Sequence, residues 1–112
     1  MTCKITTHVL DLVQGRPANN IPAVLEKLGD SYTWKSIGKG TTNDEGRIDD
    51  LIGENDSISK GSYRLTFDVS SYFEPDSFYF SIPITFNITD TNRHYHVPLL
   101  LSRFGYSTYR GS

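Results

Sequence analysis

Short stretches in which apolar and polar residues alternate follow one another along almost the whole chain, each closed by Gly, Pro, Asn or Asp. Such alternation places apolar side chains on one face of a β-strand and polar side chains on the other. Strands are predicted at Lys4–Leu10, Ile21–Leu28, Tyr32–Ile37, Arg47–Leu51, Tyr63–Val69, Ile84–Thr89, His94–Leu101 and Tyr106–Arg110. Roughly eight short strands predict an all-β sandwich.

The segments between these strands share Gly, Asn, Asp or Pro, which favour turns. They include Gln14–Asn20, Gly38–Gly40 and Thr41–Gly46. Ser70–Asp76 (SSYFEPD) differs, because its first serine can cap a helix and Pro75 can end one, which predicts one short helix. Pro98 falls inside a predicted strand and indicates an edge or a bulge, because proline cannot donate to the hydrogen-bond ladder.

The length and the aromatic content are typical of one β domain. A chain of 112 residues falls within the usual size of a single domain, so residues 1–112 are predicted to form one. Seven Tyr, six Phe and one Trp favour strands. The core is predicted to include Trp34, Tyr63, Phe67, Phe86 and Phe104, since large aromatic side chains fill the interior of a small sandwich.

Charge and hydropathy exclude several classes of partner. The net charge is −2 with both signs interspersed, so no electrostatic surface for nucleic acid or anionic membrane is predicted. No apolar run approaches the roughly 20 residues that a membrane span needs. The first residues, MTCKITTHVL, do not resemble a secretory signal, so a cytoplasmic location is expected. A periplasmic or peroxisomal location is the alternative if a targeting segment is missing.

Several catalytic and cofactor signatures are absent from the sequence. The single cysteine, Cys3, excludes an internal disulfide framework, and nothing around it indicates an activated thiolate. There is no G-x-S-x-G nucleophile elbow, phosphate-cradling glycine loop or dinucleotide fingerprint. No cofactor is therefore predicted.

The histidines are the main candidates for chemistry, and two predicted strands contain all three. Residues two apart share a strand face, so His94 and His96 project together with Pro98, and His8 projects with Thr6. The H-x-H pair permits a zinc site, although it is a weak signal. Acid–base catalysis without metal is a second interpretation, since a neutral imidazole can accept a proton from water. Surface histidines with backbone partners are a third.

Arg47 follows the Thr41–Gly46 loop. Its guanidinium can bind a planar oxyanion or carbonyl in a bidentate manner. An ordinary solvated surface charge is the alternative for a lone arginine.

Three segments together resemble the transthyretin-related proteins, specifically their 5-hydroxyisourate hydrolase branch. They are THVLDLVQGRPANNIPAVLEKL (Thr7–Leu28), TNDEGRIDDL (Thr42–Leu51) and HYHVPLLLSRFGYSTYRGS (His94–Ser112). The terminal Tyr-Arg-Gly-Ser is the most specific element, because the hormone-carrying transthyretins keep the fold but lack this tail. One departure is Arg103, where family members usually have proline. An altered turn with retained activity is expected there.

The resemblance implies a transthyretin-like β-sandwich of two four-stranded sheets with one short helix. It also implies a homotetramer, a dimer of dimers, with active sites at the dimer–dimer interface. The implied catalytic residues are His8, Arg47, His96 and Ser112. The implied substrate-binding residues are His8, Arg47, Tyr109, Arg110, Gly111 and Ser112, with Ser112 supplied by a neighbouring subunit. His94 matches no catalytic position, and no metal is implied.

The activity implied by the resemblance is hydrolysis of 5-hydroxyisourate, a purine-derived small molecule formed by urate oxidation. Water would attack a ring carbonyl, and the adjacent C–N bond would break. Two other functions stay open on the sequence. One is a non-catalytic carrier of the same fold with a hydrophobic ligand in its central channel, and the other is an immunoglobulin-like interaction module.

Overall fold

The structure is a computed structural model and describes residues 3–53, 57–75 and 77–111. These residues form nine strands: β1 (Ile5–Asp11), β2 (Arg16–Pro17), β3 (Pro22–Leu28), β4 (Trp34–Thr41), β5 (Arg47–Ile48), β6 (Gly61–Asp68), β7 (Ser81–Ile88), β8 (Tyr95–Leu101) and β9 (Tyr106–Thr108). The all-β prediction is confirmed, and all the predicted strands but one match these to within three residues at each end; the exception is β4, which ends four residues later than predicted.

The strands form two sheets. The first sheet has the order β2–β1–β8–β9, with β5 also paired to β1, and the second has the order β4–β3–β6–β7. The predicted four strands are present in the second sheet. The first has five, because two separate two-residue strands, β2 and β5, both pair with β1.

The short helix predicted at Ser70–Asp76 does not form in the described part of that segment, where Ser70–Pro75 adopts turns and bends. Side chains take up the local backbone groups there: Asp68 Oδ1 accepts from the Ser70 amide at 3.0 Å, and Ser77 Oγ donates to the Phe73 carbonyl at 3.1 Å. Such bonds compete with a helical ladder. Within the described ranges, no helix is long and apolar enough to cross a membrane.

The core lies between the sheets and includes buried residues of β1, β3, β6, β7 and β8, whereas β4 adds only the partly buried Ile37. Tyr63 and Phe67 are fully buried, as predicted, whereas Trp34 and Phe86 are half-buried. The prediction that Phe104 lies in the core is wrong, since 72% of this residue is exposed. It lies in the turn between β8 and β9, where its ring centroid is 6.0 Å from that of Phe78.

The turn predicted at Gly38–Gly40 is also wrong, because this segment continues strand β4. A Cβ atom at Gly38 would overlap the carbonyl of Leu51, and one at Gly40 would lie 2.7 Å from Ile48 Cγ2. The glycines therefore serve close packing of β4 against β5 and the segment after it.

Strand β8 lies inside the first sheet, between β1 and β9, and pairs with β1 without a register shift at Pro98, so the prediction of an edge or a bulge there is wrong. The missing amide still has a visible effect. The register that pairs His96 with Gly111 brings Pro98 opposite Tyr109, where proline has no N–H to donate. Strand β9 ends at Thr108, whose Oγ1 donates to the Pro98 carbonyl at 2.7 Å.

Candidate active site

The parallel pairing of β1 with β8 brings two histidines to one face of the first sheet. Thr6 is the register partner of His96, and His8 is the partner of Pro98. Register partners share a face, and the pairing places the Cα atoms of His8 and His96 about 8 Å apart from standard strand spacings. Because Thr7 and Val97 point into the core, the histidines occupy the outer face.

Strand β5 adds Arg47 to this face. Arg47 is the antiparallel partner of His8, and cross-strand partners lie side by side. Gly46 makes the approach possible: its φ is +75°, and a Cβ there would lie 2.5 Å from the Val9 carbonyl. The Gly46 carbonyl accepts from the Val9 amide at 2.7 Å. The Arg47 guanidinium donates to Asp49 Oδ1 at 3.2 Å.

The C-terminal tail lies beside His96. The Gly111 amide donates to the His96 carbonyl at 2.8 Å, and a Cβ at Gly111 would lie 2.6 Å from His96 Cδ2. On the opposite edge of the ring, Nδ1 is 2.8 Å from Thr6 Oγ1. The imidazole therefore stands between Thr6 and Gly111, with its far edge, which carries Nε2, directed away from the sheet.

The surroundings of His96 keep its imidazole neutral. Burial lowers the pKa of His96, and electrostatic interaction with Arg47 and His8 lowers it further, while Asp49 raises it. A neutral imidazole at neutral pH can accept a proton, which is the requirement for a general base.

The remaining tail residues lie along an edge cleft of about 260 Å³ between β7 and β8, which Tyr109 and Arg110 line together with His96. The Arg110 guanidinium lies 4.9 Å from the ring centroid of Tyr95, a side chain of the core. Within one chain, the tail therefore brings Gly111 to the outer face and directs Arg110 towards the core side. Ser112 lies outside the described residues.

The other residues considered from the sequence lie elsewhere. His94 is exposed just before β8. Burial and, to a smaller extent, Asp90 raise the pKa of the Cys3 thiol, which opposes thiolate chemistry. Arg103 lies in the β8–β9 turn with its guanidinium 5.2 Å from the Phe73 ring centroid. Among the residues that the structure describes, no group of three or more His, Cys, Asp or Glu side chains is arranged to hold a metal ion.

Two residues that contact the site, Thr6 and Asp49, were not among the predicted site residues. The alternation rule places Asp49 on the same face as Arg47, two residues earlier, so that signal was present. The contact between Thr6 and His96 depends on the β1–β8 register, which joins residues 90 positions apart. No local pattern specifies such a pairing.

Comparison with known proteins gives relatives of two kinds. The chain is 45% identical over 111 residues to a protein of Salmonella dublin named 5-hydroxyisourate hydrolase, covering 96% of this chain and 80% of that protein. The structure of Klebsiella pneumoniae 5-hydroxyisourate hydrolase matches with a TM-score of 0.83 at 30% identity, over 100% of both chains.

A carrier-type relative has a similar structure. Sea bream transthyretin in complex with thyroxine matches with a TM-score of 0.89 at 30% identity, over 97% of this chain and 95% of that chain. The backbone thus does not separate the two kinds of relative. The model of the HIUase/Transthyretin family matches residues 5–111, and the chain belongs to this family.

Proposed function

We propose that this protein is a 5-hydroxyisourate hydrolase of urate degradation, which converts 5-hydroxyisourate to 2-oxo-4-hydroxy-4-carboxy-5-ureidoimidazoline. The observation that carries the proposal is the meeting of His8, Arg47 and His96 on one sheet face, in a chain 45% identical to a protein that bears the hydrolase name.

The polar character of this face favours a hydrolase over a carrier of apolar ligands. A ligand pocket for an apolar molecule is lined mainly by hydrophobic side chains. Here an imidazole of lowered pKa lies near a guanidinium and a second imidazole. These groups supply a proton acceptor and an anion-binding donor, which are the two needs of water attack on a carbonyl.

In the proposed reaction, His96 accepts a proton through Nε2 from the attacking water. The water oxygen bonds to a ring carbonyl carbon, and negative charge develops on the carbonyl oxygen. Arg47 donates hydrogen bonds to that oxygen, where fixed donors lower the barrier most. The adjacent C–N bond then breaks, the leaving nitrogen takes a proton from the imidazolium, and a carboxyl group is formed. His8 orients the water and shares in the proton transfer.

The working assembly is a homotetramer, a dimer of dimers, with the active sites at the dimer–dimer interface. The support is that the site lies on the outer face of a sheet, open to a second copy. In this arrangement Tyr109, Arg110, Gly111 and Ser112 contribute to substrate binding, and the Ser112 hydroxyl and carboxylate orient an imidazole or the substrate from a neighbouring subunit. A cytoplasmic location and independence from metal belong to the same proposal.

The direct test follows the ultraviolet absorbance of freshly generated 5-hydroxyisourate, which also decays in buffer alone. The protein should accelerate this decay, and chelator should leave the acceleration unchanged. A decay rate equal to that in buffer would remove the hydrolase proposal. Tight thyroxine binding without acceleration would support the carrier, and loss of activity on chelation with recovery on adding zinc would revive the metal site.

A further inference from the structure

The imidazole of His96 has one polar neighbour on its Nδ1 edge. Thr6 Oγ1 lies 2.8 Å from this nitrogen in a partly buried contact, and Gly111 packs against the other edge at Cδ2. Thr6 is held by the β1–β8 pairing, in which it is the register partner of His96. The contact is therefore built into the sheet and does not depend on a loop.

The contact matters because a neutral imidazole carries a proton on one nitrogen only. A base acting through Nε2 needs its lone pair there, which requires the proton on Nδ1. The partner of the non-reacting nitrogen selects this tautomer. A threonine oxygen accepts such a bond without any change of charge.

We propose that Thr6 is a positioning residue for the hydrolysis: its hydroxyl oxygen accepts a hydrogen bond from Nδ1–H of His96 and thereby leaves the Nε2 lone pair facing the substrate. This role rests on the proposed function. The charged or titratable groups that act on His96 are His8 on β1, Arg47 on β5 and Asp49 just after β5. In the described part of the chain, Thr6 is the hydrogen-bond partner found for Nδ1.

Three variants separate the hydroxyl from the shape of the side chain. Thr6→Val keeps the β-branched form suited to a strand and removes the hydroxyl, whereas Thr6→Ser keeps the hydroxyl and removes the methyl group. Thr66→Val is the matched control: Thr66 is also half-buried in a strand, and its side chain forms no hydrogen bond with the described residues. The tautomer of His96 is read from its imidazole nitrogen-15 chemical shifts at a pH where the ring is neutral.

The wild type, Thr6→Ser and Thr66→Val should show the Nδ1–H tautomer. Thr6→Val should shift towards Nε2–H and lose about five-fold in kcat, the factor expected of one ordinary hydrogen bond, with KM unchanged. An Nε2–H tautomer in the wild type would overturn the proposal, as would a Thr6→Val protein whose tautomer or kcat matches Thr66→Val.

The two proposals fail in different ways. The nitrogen shifts are measured without substrate, so they report on Thr6 even if the substrate is wrong. A wild-type protein that does not accelerate 5-hydroxyisourate decay would remove the proposed function, whichever tautomer it shows.

Discussion

The Gly111→Ala substitution tests the tail most sharply, because its effect follows from one measured approach. An alanine Cβ would lie 2.6 Å from His96 Cδ2, whereas carbon atoms in contact are normally about 3.5–4.0 Å apart. The tail or the imidazole must therefore move by about 1 Å. A misplacement of about 1 Å in a catalytic group can cost on the order of 100-fold in rate.

We accordingly expect Gly111→Ala to lower kcat/KM for 5-hydroxyisourate by about 10- to 100-fold. The fold should be nearly unaffected, because the substitution can break only the backbone hydrogen bond from Gly111 to His96. Such a bond contributes about 1 kcal/mol to the free energy of unfolding. The assay combines initial rates from ultraviolet decay with thermal unfolding and light scattering, since the tail also belongs to the proposed subunit contact.

Gly105→Ala is the matched control. A Cβ at Gly105 would meet only Ser102 Oγ at 3.9 Å, which is ordinary van der Waals contact, so this variant should keep wild-type activity. Wild-type kcat/KM in a folded Gly111→Ala protein of unchanged oligomeric state would refute the predicted effect of this contact on His96. An equal loss of activity in Gly105→Ala would refute it as well.

Two further predictions concern His96 and the end of β1. Because burial, Arg47 and His8 lower the pKa of His96 from 6.5, kcat/KM should stay level to below pH 6.5 and fall as the imidazole protonates. In an NMR titration, Arg47→Gln should raise the pKa of His96 and Asp49→Asn should lower it further. Opposite shifts would contradict the electrostatic account. Tyr72→Phe should lower the free energy of unfolding, measured in urea, by about 1–3 kcal/mol, because the Tyr72 hydroxyl donates to Asp11 Oδ2 at 2.7 Å and Asp11 is buried. Exposed Tyr32→Phe is the control. Equal effects of the two variants would exclude a stabilising role for the bond between Tyr72 and Asp11.

The alternation of apolar and polar residues was sufficient to predict the long strands, because most of them have one face in the core. It was insufficient where long-range packing decides the structure. Gly38 and Gly40 carry the local signal of a turn, yet they continue β4 because neighbouring segments pass too close for a side chain. Ser70–Asp76 carries a helix signal, but in its described part the Ser70 and Phe73 amides donate to the side chains of Asp68 and Ser77 instead.

Candidate members of the site could be selected from the sequence, whereas their geometry could not. His8, Arg47 and His96 could be selected by residue type and by resemblance, and the structure places all three on one face. The position of the His96 imidazole between Thr6 and Gly111 depends on pairing between opposite ends of the chain, which local periodicity does not encode. Arg110 was grouped with the site from the tail motif, and in this chain it lines the same cleft as His96 with its guanidinium packed over Tyr95.

The most direct test of the central claim compares His96→Ala with His94→Ala in the 5-hydroxyisourate decay assay. Both variants remove an imidazole from the same H-x-H segment, but His96 faces Arg47 and His8 while His94 is exposed before β8. His96→Ala should lose at least about 100-fold in kcat/KM, the usual contribution of a general base, and His94→Ala should match the wild type. Equal activity of the two variants would contradict the account.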